Sequence, residues 1–151
     1  MVCTMGISFS REIRHGLIGS LVGTIAMDMV IFLEFYLTGQ SLTTSLILYG
    51  SLIGGGIREG IVLHLLFGSM LGLLFGISIS QFNALRIDSI GKGLRLDVFA
   101  GLITIPLGCI PFAVIVGVPL TSMIGFVFIP HLVWGLVLGG LSSYLLITRH
   151  D

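Results

Sequence analysis

Long apolar runs, broken at regular intervals by glycine and separated by short polar clusters, set the pattern of this chain. Four runs are long enough to cross a hydrocarbon core of ~30 Å at ~1.5 Å per residue: 16–37, 60–80, 94–118 and 122–147. The pattern predicts an all-α fold, a four-helix transmembrane bundle forming one integral membrane domain over residues 1–151. A fifth apolar stretch, 46–53, is too short to span. It lies among Ser, Thr and Gly within 41–56 and ends at Gly54-Gly55-Gly56, which fits an interfacial or re-entrant piece. Residues 81–97 mix Phe82, Leu85, Ile87 and Ile90 with charges. They read as a short amphipathic helix on the membrane surface, with Gly91-Lys92-Gly93 as a turn. Pro106 and Pro111, with Gly101, Gly108 and Gly117 around them, predict a kinked or partly unwound third span, and Pro130 is expected to loosen the fourth.

The apolar pattern also repeats. His64-Leu65-Leu66-Phe67-Gly68-Ser69-Met70-Leu71-Gly72 in the second span and His131-Leu132-Val133-Trp134-Gly135-Leu136-Val137-Leu138-Gly139 in the fourth share the form His-Leu-x-x-Gly-x-x-Leu-Gly. Each is preceded by an echo, Ser51-Leu52-Ile53-Gly54 and Ser122-Met123-Ile124-Gly125. The expectation is an internal repeat of two tandem helical hairpins, spans one–two and spans three–four. Gly68, Gly72 and Gly76 form consecutive G-x-x-x-G steps, while Gly19/Gly23 and Gly135/Gly139 form one each. Small residues at this spacing make a flat stripe where a neighbouring helix backbone packs closely. Each histidine precedes its first glycine by one helical turn, so it extends the same stripe toward a helix neighbour.

Composition fixes the environment. Of 151 residues 55% are hydrophobic and 9% charged, against about 25% charged in soluble domains. So few charges do not cover a water-facing surface, so the lipid bilayer is the first partner. A homo-oligomer or a larger membrane complex is the second. Net charge is zero and no basic-aromatic interleaving occurs, which argues against nucleic acid. Of the seven Lys and Arg, only Arg58 falls between spans one and two; Arg11, Arg14, Arg86, Lys92, Arg95 and Arg149 share the other side. The bias places both termini in the cytoplasm and the chain in the cell membrane. Arg11 and Arg14 before an apolar stretch resemble a signal peptide, but the stretch runs for about 20 residues without a small-x-small cleavage site, so a retained helix is expected. Cys3 and Cys109 do not read as a disulfide pair, and Cys109 alone reads as a small core hydrophobe.

Four residues make a candidate intramembrane polar cluster: Asp28, Glu34, His64 and His131. Asp28 lies midway along the first span, where a carboxylate costs on the order of 3 kcal/mol, with Ser20 and Thr24 preceding it at helical spacing. Three readings follow. The cluster locks the bundle by hydrogen bonds; or Asp28, His64 and His131 carry a proton or cation in a small transporter; or the two histidines ligate a haem iron. No nucleophile elbow, H-E-x-x-H or catalytic carboxylate pair is present, so neither enzyme chemistry nor a metal site is expected. The leading expectation is a non-enzymatic accessory or packing subunit, with a proton or cation transporter next and a bis-histidine haem module third.

Gly23-Thr24-Ile25-Ala26-Met27-Asp28, together with the motif running from His64 through Phe75-Gly76, is similar to a family of small four-helix membrane proteins of archaea and bacteria. These carry a Gly-Thr-x-x-Met helix and a later His-Leu-x-x-Gly-x-x-Leu-Gly-x-x-aromatic-Gly helix. The resemblance covers spans one and two, and span four through its shorter copy. It implies a multi-pass membrane fold and assigns no activity.

Overall fold

The computed structural model describes residues 5–117 and 119–148, and the side chains within 11–117, 119–121 and 124–148. Cys3, Val118 and Arg149 lie outside the described residues, as do the side chains of Ser122 and Met123. The fold is helical throughout, with no strand among the described residues: α1 Met5–Leu37, α2 Thr44–Ser51, α3 Ile57–Gln81, α4 Ile90–Thr104, α5 Ile110–Val116 and α6 Leu120–Thr148. A 3-10 turn, Asn83–Leu85, precedes α4, and a π-helical segment, Ile105–Cys109, joins α4 to α5. Four stretches are long and apolar enough to cross a membrane: Arg11–Leu37, Ile57–Gln81, Ile90–Val116 and Ile124–Thr148.

Local chemistry explains where these helices stop. Gly39 and Gly117 sit at φ 68° and 75°, the left-handed cap open to glycine at low cost, and the Gly117 N–H closes α5 by donating to the Ala113 carbonyl at 2.9 Å. At the start of α3 the Glu59 carboxylate accepts from the Gly56 N–H at 2.8 Å. That is the Glu half of a capping box, glycine having no side chain to supply the other. In the third span two prolines five residues apart remove backbone donors, and the ladder accommodates the loss as one π turn. The expected break is therefore a local widening inside a continuous span.

Four expectations are corrected. The first span begins before residue 16, since α1 is already helical through Arg11 and Arg14. Residues 81–97 form no separate surface helix: Phe82 turns extended and ends α3, and the chain enters the third span at Ile90. Gly91-Lys92-Gly93 is the first turn of α4 rather than a loop, because Gly93 packs against Ser143 of α6. Finally, α6 runs unbroken through Pro130, which is buried in its interior.

The helices pack as a row, α3 against α1, α1 against α6 and α6 against α4, with α2 lying on α3. Spans one and two, and spans three and four, are thus hairpin neighbours. The row is held by small residues. One edge of α1, Gly16-x-x-x-Ser20-x-x-x-Thr24, meets Gly68, Gly72 and Gly76 of α3; a Cβ on Gly76 would stand 2.7 Å from the Ile13 Cα. The adjacent edge, Gly19 and Gly23, meets Ser142, Leu138 and Trp134 of α6. Across the third seam, Gly93, Asp97 and Gly101 of α4 meet Ser143, Gly139 and Gly135 of α6. Contacts of Ser142 with His15, Arg11 with Leu146, Gly76 with Ile13 and Gly93 with Ser143 gather the start of α1 and the end of α6 at one end of the bundle, called here the terminal end.

The distribution of polarity is inverted relative to a water-soluble bundle. Buried side chains include His15, Ser20, Thr24, His64, Asp97, Thr104, Ser142 and Ser143, while Met29, Leu107, Val114 and Ile115 stand on the outside. Apolar outside and polar inside is what a hydrocarbon solvent selects. The chain is a multi-pass membrane protein.

Candidate functional site

The row leaves a gap on one face. α3 packs on α1 and α2 rather than on the third span, and between them lies a cavity of about 420 Å³. Its depth follows from helix rise. His64, Cys109 and His131 each lie seven residues from the end of their span opposite the terminal end, so about 10 Å in; Asp28, nine residues from its end, lies near 13 Å. All of the first three line the cavity. Both copies of the repeated motif therefore deliver their histidine to one space.

His64 is held from two sides. Its Nδ1 lies 2.8 Å from Asp28 Oδ1, a close approach with poor alignment for a hydrogen bond, and the Tyr49 ring stacks on its face at 4.8 Å and 22°. Tyr49 in turn meets Phe112 of α5 at 4.8 Å, so this one side chain from α2 bridges the second and third spans across the cavity. Burial, with Cys109 and Asp28 nearby, pushes the Tyr49 phenol above its ordinary range, so it is a neutral hydroxyl. Among the described residues, nothing hydrogen-bonds His64 Nε2.

His131 is held differently. Its Nδ1 donates to the Val127 carbonyl at 2.8 Å, which in the neutral ring leaves Nε2 as an acceptor, and the Cys109 thiol stands 3.7 Å from it. The π segment brings Cys109 there, placing it at the end of the widened turn. Thr24 and Thr104 add hydroxyls to the lining, but Thr24 spends its proton on the Ser20 carbonyl at 2.9 Å and Thr104 on Gly101 at 2.7 Å. The remaining wall is apolar and aromatic. Met70 and Leu74 on α3, and Leu107 and Ile115 on the third span, flank an opening toward the lipid face; Leu107 is 69% and Ile115 71% exposed. An apolar pocket with a few fixed polar groups at one end has the make-up of a ligand site.

Of the four residues in the sequence cluster, the structure joins Asp28 to His64 and brings His131 to the same cavity. Glu34 does not line it; its carbonyl accepts from Thr38 Oγ1 at 2.8 Å and its side chain is partly exposed. The seven glycines Gly19, Gly23, Gly68, Gly72, Gly76, Gly135 and Gly139 all stand at helix–helix contacts. Sequence reasoning missed Tyr49, because a lone aromatic in a short Ser/Thr-rich stretch carries no pattern. It also missed Asp97, which fell where the charged segment 81–97 overlaps the third span, 94–118, and was not singled out. The signal was present: Gly93-x-x-x-Asp97-x-x-x-Gly101 has the spacing of Gly16-x-x-x-Ser20-x-x-x-Thr24.

Among the described residues, no three His, Cys, Asp or Glu side chains converge as a metal-ligand set. No protein-family model, curated protein or solved structure matches this chain. The likeness of its glycine and histidine motifs to four-helix membrane proteins thus goes no further than a small multi-pass architecture.

Proposed function

We propose that this protein is a small, non-enzymatic membrane transporter that takes a largely apolar molecule from the bilayer into the cavity and holds its polar end with His64 and His131. The observation that carries this is the convergence of both histidines on one cavity, each with its Nδ1 side engaged by the protein and its Nε2 side turned to the space or to a thiol. Asp28 fixes the His64 ring, and Cys109 offers His131 a weak contact that a ligand can displace. The lateral opening supplies an entry path from lipid. A packing subunit, the leading expectation from the sequence, leaves the convergence of both histidines on this cavity without a role. By the basic-residue bias, we orient the terminal end toward the cytoplasm of a cell membrane.

The chain's one tryptophan, Trp134, lines the cavity and reports on it. 4-Nitroaniline, a small planar molecule whose amino N–H groups donate to an imidazole nitrogen and whose nitro group quenches indole, is the probe. Titrated into the purified protein in lipid vesicles, it is expected to quench Trp134 saturably, with about tenfold weaker binding in His64→Ala and His131→Ala as one hydrogen bond is lost. Linear, non-saturable quenching that is equal in all three proteins would mean simple partition into lipid and would overturn the reading.

A further inference from the structure

We propose that Asp97 is a proton-binding site built into the seam between α4 and α6, exchanging its proton with water at the terminal end of the bundle. Its side chain is fully buried, at 0% exposure, and neither carboxyl oxygen has a hydrogen-bond partner among the described residues. It lies flat against Gly139, where any Cβ would overlap the carboxyl group. One turn further along α6 the Ser143 hydroxyl is also fully buried and without a partner. Two unpartnered polar groups one turn apart along one seam, Asp97 against Gly139 and Ser143 against Gly93, mark a site, whereas polar residues that serve packing between membrane helices find each other or a carbonyl.

Among the described residues no cation is paired with the Asp97 carboxyl. α6 presents Gly135, Gly139 and Ser143 to this seam, none of which titrates. On the helix of Asp97 itself, Arg95 is turned outward with its Nε on the Gly91 carbonyl at 3.1 Å, and Lys92 is engaged by Asp88 at 3.3 Å. The π segment carries Cys109, placed at the cavity. α1 reaches the far side of α6 with Arg11, Glu12 and His15; the Arg11 guanidinium lies on the Leu146 carbonyl, and the His15 carbonyl takes the Ser142 hydroxyl. The packed state is therefore that of the neutral acid. On ionisation the acid gives its proton to a water entering the seam, and the carboxylate that remains accepts from Ser143 and that water; the reverse step restores the packed form.

Position links this site to the cavity without depending on it. Asp97 lies seven residues from the terminal end of its span, and seven residues further along the same helix Thr104 lines the cavity wall, just before the π turn. Opening the seam to water moves the helix that bears that turn.

Infrared difference spectroscopy on the full chain in lipid vesicles tests the proposal across the pH range in which helix content stays constant. The expected result is a protonated-carboxyl C=O band that disappears reversibly as pH rises, is absent from Asp97→Asn and persists in Asp28→Asn. A band that Asp97→Asn removes but that never responds to pH would mark a permanently protonated packing group. No difference between Asp97→Asn and the native protein would mean the acid is not there. Either outcome overturns the proposal. Should Asp97→Asn fail to fold, dicyclohexylcarbodiimide, which reacts with buried protonated carboxyls, decides on the native protein. Mass spectrometry should find the adduct on Asp97, falling off with rising pH; an adduct only on Asp28 or Glu34 would count against it. Loss of 4-nitroaniline binding to the cavity bears on neither result.

Discussion

The seams α1·α3 and α4·α6 use the same packing device and treat their polar residues in opposite ways. In each, a glycine-rich stripe on one helix receives the stripe of another: Gly16, Ser20 and Thr24 against Gly76, Gly72 and Gly68, and Gly93, Asp97 and Gly101 against Ser143, Gly139 and Gly135. Both histidines extend the receiving stripe by one turn. In the first seam both hydroxyls facing the glycines are satisfied, Ser20 donating across the interface to the Gly68 carbonyl and Thr24 to its own helix at Ser20. In the second, Asp97 and Ser143 both lack a partner among the described residues. Close backbone approach is thus common to the two, and the chemistry placed inside it is not. The first seam is a lock, and the second holds a group whose cost is tolerable only when it has a use.

The largest expected effect breaks what the seams share. Gly76→Ala and Gly101→Ala each direct a Cβ at backbone, Ile13 Cα at 2.7 Å in one case and Gly135 Cα at 3.2 Å in the other, so neither neighbour yields by rotating a side chain. Overpacking of this kind costs about 1–3 kcal/mol. Gly125→Ala on α6 meets nothing within 4 Å and should be neutral or gain up to about 1 kcal/mol from helix propensity. Reversible unfolding in mixed micelles ranks the three. If Gly101→Ala behaves like Gly125→Ala, the second seam is not closed as described.

The next effect separates the seams. Ser20→Ala removes a buried donor and leaves the Gly68 carbonyl to its helix, a loss of about 1 kcal/mol. Ser143→Ala removes a hydroxyl with no partner to lose and should be neutral or slightly stabilising in the same unfolding assay. Equal destabilisation by both would show that Ser143 has a partner after all, and the contrast between lock and site would fail.

How much of this was legible in the sequence follows from the range of each signal. Span number and approximate limits depend on hydropathy over about 20 residues, and glycine stripes depend on spacing within one helix, so both were readable. The pairing of Asp28 with His64 needs only that spans one and two form a hairpin, and it too was within reach. The meeting of His131 with Cys109 was not. It depends on how one π turn rotates the third span, which two prolines announce as a disturbance without fixing its form. Gly91-Lys92-Gly93 misled because its local composition favours a turn, while Gly93 serves a close contact with Ser143 on a helix fifty residues away.

The smallest expected effect tests whether charge or position makes Asp97 unusual. Nine residues earlier, Asp88 carries the same side chain on the surface, 3.3 Å from Lys92 at the first turn of α4. The hydrogen bond from Lys92 holds its carboxyl below the usual range. A depressed carboxyl contributes stability above its unfolded value and loses that contribution as pH falls through the folded one. Here the group is exposed and screened within about 8 Å at physiological salt, so the contribution is too small to move the unfolding midpoint. Lys92→Ala should therefore leave the midpoint unchanged at neutral pH and at acid pH alike. The same variant should also leave the Asp97 infrared band where it is, since Lys92 points away from the seam toward Asp88. A shift in that band would mean that the cation reaches into the seam and supplies the counter-charge Asp97 lacks, and the two seams would then differ in degree rather than in kind.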